Sequence, residues 1–473
     1  MANPDLDFDA ATHLLHQHSN DPLSASKAIT FLSKASHNSS TSRERLADPT
    51  ILKDLLNLLS ASNTGPNPPG ETTEQLLRCI GNAVISSDTG RQTVTDHGFG
   101  WASSCLRSAP STGHGGLIRL RALNALNNIC FDFAPAQQRC YEEHVHEDCL
   151  YGYCDTYSKP GKEGAEEAEM YGDLLLSICE HRQAGDELKD EASRERVLDL
   201  VLLLRGKYYD VDALATVVEV VLLYLRDEVE QRKFIEAGVV RKVWEVLVEV
   251  EARIANEETQ GEREGEENVR LLVPVAVSLT WCLSDMAAVD IFAERYGNRS
   301  ELIQGAVFDA IKSAARADAP IARPRLVSAA CQILGNLLWS VRDKDPSTYD
   351  VDVMDLDLHR GAIAIATTFG DAETLHSVAG LLIHLCWHSD EYTSRLCGDE
   401  QLSSVLRRLC KHDVKEVRQG GMKLLQLLGK DDAAVREEYS GLAKQVMESL
   451  VVEQNPGQHN TLQQNGSVVE LPD

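Results

Sequence analysis

The first side chains in this chain whose types and spacing could do chemistry are a histidine–cysteine run. His144, His146, Cys149 and Cys154 follow one another as H-x-H-x2-C-x4-C, with Cys140 just upstream. Imidazole nitrogens and thiolates are the ligands that zinc takes in four-coordinate sites. The run lacks the paired C-x2-C knuckles of zinc modules, and its tyrosine-rich surroundings suit a packed segment. The expectation is therefore a structural His/Cys mixture, with metal as the alternative. No other chemistry stands out. GxxxxGK[ST] is absent, so the chain is not expected to bind GTP itself. GHGG at Gly113 to Gly116 has no GxSxG elbow to accompany it and reads as a connector. HEDC at His146 to Cys149 and GDE at Gly185 to Glu187 are isolated. The expected protein is not an enzyme and needs no cofactor.

A second set of residues points to binding. Asn82, Asn128 and Asn336 sit inside otherwise apolar helical stretches, where asparagine is a poor helix former. A mid-helix asparagine on an open face can pair with the amide and carbonyl of an extended peptide. Laying CLSDMA and LLIHLCW over LGNLLW brings Asp285 and His384 to the same position. These five residues, with Trp281, form the expected partner-binding groove. On that reading Asn128→Ala and Asn336→Ala lower partner affinity; the alternative is that the asparagines bridge neighbouring repeats from within. Trp244, Trp281, Trp339 and Trp387 are expected mainly in the core, although Trp281, Trp339 and Trp387 lie close to the groove register.

The elements that must position these residues repeat. Leu117 to Cys140, moved back 46 residues, meets Leu76 to Val94 without a gap, setting Asn128 on Asn82. Phe31 to Leu46 and Ala330 to Ser340 supply further copies. A period of about 40 to 50 residues marks a stacked array in which no unit can bury its apolar face alone. Long-helix patterns are read over Glu74–Ser86, Gly172–His181, Leu214–Arg226, Val275–Ala287, Leu326–Ser340, Thr374–His388 and Val417–Leu428. Gly98 and Gly238 stop short helices, and no period-2 alternation calls for a sheet. The fold expected is an all-α, right-handed superhelical repeat solenoid over residues 25–451. A polar lead-in (1–24) with one weak helix, Asp9 to His18, precedes it and a disordered tail (452–473) follows. Acidic insertions are expected near 158–169 and 256–268, the second as a solvated inter-helix loop.

The small residue–Asn pairs in IGNAV, LNNIC and LGNLL resemble armadillo repeats. LRCIGNAVISSDTGRQTV and ALNALNNICFDFAPAQQ are similar to the GDP-dissociation stimulators of small GTPases. Asp88 and Arg91 match that family's turn after Asn82, and Asp132 the turn after Asn128; SSDTGR and DFAPAQ depart from its acidic-Asn run. The resemblance covers roughly residues 70–145 and Ala329–Ser340. It implies an armadillo-type solenoid that engages Rho-, Rap- or Ras-type GTPases with basic, prenylated tails, as chaperone or exchange stimulator. Exchange would then arise from tighter binding of the nucleotide-free GTPase. A buried isoprenyl chain would add about 0.8 kcal/mol per methylene. An importin-like groove for extended basic peptides is the rival. It calls for a Trp-x3-Asn ladder, of which Trp281-x3-Asp285 is one imperfect rung.

Composition sets the outer limits. The net charge of −27 argues against nucleic acid and favours a basic protein partner. The runs Leu200–Leu204 and Val217–Leu225 fall short of a membrane span, so no direct membrane insertion is expected. The first residues lack a basic n-region and an apolar core, and so do not read as a secretory signal. Twelve scattered cysteines and the absence of that signal point to a reducing cytoplasmic compartment, with a nuclear pool allowed.

Overall fold

In a computed structural model, the described residues are 7–17, 22–64, 70–85, 87–107, 115–157, 162–181, 191–203, 211–225, 228–260, 263–297, 300–316, 323–342, 357–431, 437, 440, 441 and 444. Among them there is no strand. The chain divides into two compact units, Met1–Glu230 and Gln231–Asp473.

Unit 1 opens with α1 (Phe8–His16) and α2 (Pro22–Asn38). Three triplets follow: α3 (Ser40–Leu46), α4 (Pro49–Thr64) and α5 (Gly70–Val84); α6 (Asp88–His97), α7 (Gly100–Leu106) and α8 (Gly115–Cys130); α9 (Ala134–Glu142), α10 (Val145–Tyr157) and α11 (Lys162–Cys179). The pair α12 (Glu191–Leu203) and α13 (Val211–Leu225) completes the array, and α14 (Glu228–Glu236) carries the division. Unit 2 continues with α15 (Val239–Gln260), α16 (Arg263–Ala288) and α17 (Asp290–Tyr296). A π-helical turn over Glu301–Val307 runs into α18 (Phe308–Ala314), ahead of α19 (Pro324–Val341). Next come α20 (Leu358–Thr368) with α21 (Ala372–His388), then α22 (Asp390–Cys397), α23 (Leu402–Cys410) and α24 (Lys415–Asp431).

The repeat is a short, a middle and a long helix, and like packs on like. In unit 1 the long helices form the row α2, α5, α8, α11, α13, backed by α1, α4, α7, α10, α12. In unit 2 the long row is α16, α19, α21, α24. This is the all-α, armadillo-type repeat expected from the sequence. Local chemistry sets the boundaries. Ser87 caps α6 by accepting from the Gly90 N–H at 3.1 Å, and Asp371 caps α21 by accepting from the Thr374 N–H at 2.8 Å. Gly98 and Gly238 end their helices at φ +89° and +80°, a conformation that costs glycine nothing. On α5 the apolar stripe Leu76, Leu77, Ile80, Ala83 and Val84 is fully buried.

Four expectations change. The weak helix read over Asp9–His18 of the lead-in is α1, and it is packed, burying Phe8, Ala11 and Leu15. The charged stretch 256–268 is helical on both sides of residues 261 and 262, which lie outside the described set. Glu and Gln are good helix formers, so their density marked solvated helix ends and not a loop; Asn268 Nδ2 donates to Glu257 Oε1 at 3.3 Å across that junction. The 158–169 stretch is helical from Lys162 for the same reason, with 158–161 outside the described set. Finally, Gly265–Ala288 in α16 is long and apolar enough to cross a membrane by length and composition. Half of that window is buried, and α16 packs on α15 and α19, as a core helix does. The 452–473 tail lies outside the described residues.

One buried cation locks the middle of unit 1. Arg119 on α8 is 5% exposed. Its Nε and Nη2 donate to the two Glu167 carboxylate oxygens at 2.6 and 3.1 Å, and its Nη1 to Asp155 Oδ2 at 3.0 Å. It thereby joins α8 to α10 and α11. Removing one partner of a buried ion pair strands the other charge, which costs about 3–5 kcal/mol. Glu167 keeps some solvent contact, so Arg119→Ala should cost about 3 kcal/mol. The measurement is a urea midpoint lowered at unchanged slope; a loss below about 1 kcal/mol would show that the pair contributes no more than a surface bridge.

Candidate functional site

The asparagines turn inward along the stack. Asn82 Nδ2 donates to Ser36 Oγ on α2 at 3.0 Å. Asn128 Nδ2 donates to the Gly81 carbonyl on α5 at 3.3 Å. In unit 2, Asn336 Nδ2 donates to the Ser284 carbonyl at 2.9 Å and to its hydroxyl at 3.3 Å. Each bond runs to the long helix of the preceding repeat. The residue before each asparagine faces the following repeat. A Cβ on Gly81 would meet the Ala125 backbone at 3.4 Å, and one on Gly335 would meet the His384 ring at 3.1 Å. Asn127, at the glycine's position, donates forward to the Met170 carbonyl at 3.2 Å. The pair is a clamp between repeats: a small or polar residue lets the next helix approach, and the asparagine ties back to the last one. The alternative reading, asparagines that bridge neighbouring repeats, describes these Nδ2 donors. The side chains stay half-buried at the edge of the stack.

What unit 2 presents outward is aromatic. Trp281 is 62% exposed and Trp339 is 49% exposed, whereas Trp244 and Trp101 are core residues. Trp339 lies 5.4 Å from the half-buried Trp387, between ring centroids. His384 wedges between them, 5.7 Å from Trp339 and 5.4 Å from Trp387. Arg342 covers Trp339 and Lys423 covers Trp387, each at 4.4 Å from the ring centroid, in cation–π contact. The row thus spans α19, α21 and α24, and Trp281 stands on the adjacent α16. Burial holds the His384 imidazole down to a pKa of about 4, aided by the charges on Lys423 and Arg342. It remains neutral at ordinary pH. Asp285, expected in the same groove, is exposed on α16. The spacing that marks the row is Asn336-x2-Trp339 and His384-x2-Trp387: the tryptophan follows the clamp residue by three positions, where the ladder sought in the sequence has it four before. Core packing therefore fails as a reading for three of the four tryptophans.

Charge on the long-helix rows is sorted and not uniform. Glu166, Glu169 and Asp173 are exposed on one side of α11 and Glu180 just past its end, with Glu219 exposed on the adjacent α13. Arg78 and Arg121 share Glu74 on α5 and α8, at 3.2 and 3.7 Å. Unit 2 carries its cations at the aromatic row.

The His/Cys run divides in two. Cys149 and Cys154 are buried; the Cys154 thiol donates to the Arg196 carbonyl at 3.4 Å. Burial pushes the Cys149 thiol well above its usual range and raises Cys154 to about 12. Cys140 Sγ sits 3.7 Å from Cys130 Sγ, also buried. One continuous helix, α10, carries Cys149 and Cys154 on the face turned to the core, while His144 precedes it on the outside. The four-ligand set is therefore not assembled. His144 and His146 come together with Glu147 instead.

No family model matches the chain, and no curated protein does. Among solved structures, an engineered protein is similar at 15% identity, covering 89% of this chain and 99% of its own, with a TM-score of 0.42. A designed armadillo repeat protein is similar at 14% identity over 59% of this chain and 99% of its own, at 0.37. A structure described for a phosphorylation switch in the cadherin–beta-catenin interaction is similar at 11% identity over 96% of both chains, at 0.41.

Two outcomes follow from the geometry. Asn128→Ala and Asn336→Ala should each cost about 1 kcal/mol of stability, the net worth of a neutral hydrogen bond. Thermal melts check this, and unchanged melting for both variants would free the asparagines from the stack. His384 supplies a pH dependence. Below the ordinary value of 6.5 the unfolded chain takes up a proton that the folded chain, titrating near 4, does not. Its contribution is therefore complete above pH 6.5 and is lost as pH falls toward 4. Between pH 7 and 4.5 the parent should lose roughly 2 kcal/mol more than His384→Gln, at about 1.4 kcal/mol per pKa unit; urea melts at the two pH values measure the difference, and parallel losses would refute it.

Proposed function

We propose that this chain is a non-enzymatic binding protein that engages a small GTPase of Rho, Rap or Ras type through the partner's basic C-terminal tail. The observation that carries the reading is the carboxylate stripe Glu166, Glu169 and Asp173 along α11, continued by Glu180 just past its end. Carboxylates so placed repel one another and are relieved by a polycationic partner, which also speeds encounter at low salt. The resemblance of the α5 and α8 segments to GDP-dissociation stimulators points the same way. Exchange, where it occurs, is a preference for the nucleotide-free partner.

The exposed tryptophans of unit 2 support a protein-binding role in their own right. Tryptophan and arginine are the residue types that dominate interface energetics, and an array of large apolar rings held in solvent is costly unless something covers it. A general repeat scaffold that takes extended basic peptides is the second reading, and the α11 stripe would serve it equally.

The experiment is binding of the purified chain to a panel of prenylated and unprenylated small GTPases at two salt concentrations. Expected are binding to at least one member, weakening with salt, and a tenfold or greater loss for the doubly charge-reversed Glu169→Lys/Asp173→Lys variant. Binding to none at low salt, while a basic peptide binds, would replace the GTPase reading with the scaffold one. Nucleotide release, followed with a fluorescent guanine nucleotide, separates exchange stimulation from chaperoning.

A further inference from the structure

We infer that the corner between α9 and α10 is a transition-metal site, with His144, His146 and Glu147 as its protein ligands. The three side chains each offer one ligand atom, and these atoms lie within 4.8 Å of one another. The backbone brings them together. His144 sits in the two-residue link after α9 at φ +60°, the left-handed region that a non-glycine residue seldom enters. That turn folds its ring back over the first turn of α10, where the His144 carbonyl accepts from the Glu147 N–H at 3.1 Å. His144 Nδ1 then stands 3.3 Å from Glu147 Oε1, and the two imidazole centroids are 5.9 Å apart. His146 is held flat against Tyr141, with stacked rings 4.7 Å apart.

Burial separates this trio from the surface carboxylates that abound in an acidic chain. Glu147 is 6% exposed and His146 4%. The neighbouring Asp148 is engaged by Arg107 at 2.5 Å, and Glu143 by Arg139 at 2.6 Å. Glu147, next to Asp148, has the His144 imidazole beside it. The His144 side chain is 41% exposed, so the site opens to solvent on one side. Two imidazoles and one carboxylate with an open position are a ligand set that zinc and cobalt accept, at about 2.0–2.2 Å from each donor atom. Bond lengths of that size put tetrahedral ligand atoms about 3.4 Å apart. The widest pair here must therefore close by somewhat over an ångström, a movement that the exposed His144 side chain can make by rotating. Structural zinc sites built of thiolates are closed; this one, with three protein ligands, would keep a water.

The test is titration of the full-length chain with Co2+ alone, read by its visible ligand-field spectrum, followed by displacement with Zn2+. Expected are one ion per chain and a spectrum without a thiolate-to-cobalt charge-transfer band. Glu147→Gln, which keeps the volume, and His144→Asn, which tolerates the left-handed turn, should each weaken binding at least tenfold. Cys149→Ser and Cys154→Ser should leave it unchanged. Variants are compared at matched circular dichroism, so that loss of the ion is not loss of the fold. No stoichiometric ion, binding that survives both His144→Asn and Glu147→Gln, or a thiolate band would each overturn the assignment. None of these outcomes bears on GTPase binding.

Discussion

Everything in the two units depends on how closely one long helix can approach the next. A helical repeat has no core of its own, so its stability is the sum of what each interface with a neighbour supplies. Here the approach is set by a dipeptide near the end of the long helix. Its first residue is small, or polar enough to bond forward; its second donates backward across a spacing of 46 to 52 residues. Hydrogen bonds at the same offset recur elsewhere on the rows, such as Ser26 with Thr72 and Ser328 with Thr374. Because each clamp is half-buried, its amide must find a partner, and the neighbouring helix is the partner always within reach.

The clamp also decides what is left for function. With an Nδ2 donor of each asparagine engaged in the stack, the more exposed residues lie one turn beyond them or on other helices. In unit 2 those residues are Trp339 and Trp387, each steadied by a cation and by His384. In unit 1 they are the carboxylates of α11. The two surfaces differ in chemistry: one offers flat aromatic area at little entropic cost, the other a concentration of negative charge.

Much of the fold was legible in the sequence because a repeated pattern states its own period. The long helices at Thr374–His388 and Leu326–Ser340 fall within a residue or two of where the apolar stripe places them. The glycine stops at 98 and 238 were equally plain. The charged stretch 256–268 misled, since a glutamate-rich segment reads as a loop when only its solvation is considered, although the same residues extend helices well. The site was less legible. Trp281 and Trp339 carry no mark that separates an exposed indole from a buried one, because the stripe containing them is apolar throughout. The proximity of Glu147 to His144 was hidden for a different reason: it hangs on one backbone angle, and the cysteines nearby drew attention to a spacing that the helix then turns inward.

By itself, then, the order of residues determined an all-helical chain, its repeat length, the ends of its helices and its excess of negative charge. These follow from local propensity and from periodicity, which neighbouring residues express without help from distant ones. Only the tertiary structure decided which side of each polar residue meets water. Asn128 became a tie and not a lure, Trp339 a surface and not a core, and Cys149 a buried thiol and not a ligand. The reason is geometric: the direction in which a side chain points depends on the helix packed against it some 46 residues away, and no short window of sequence contains both.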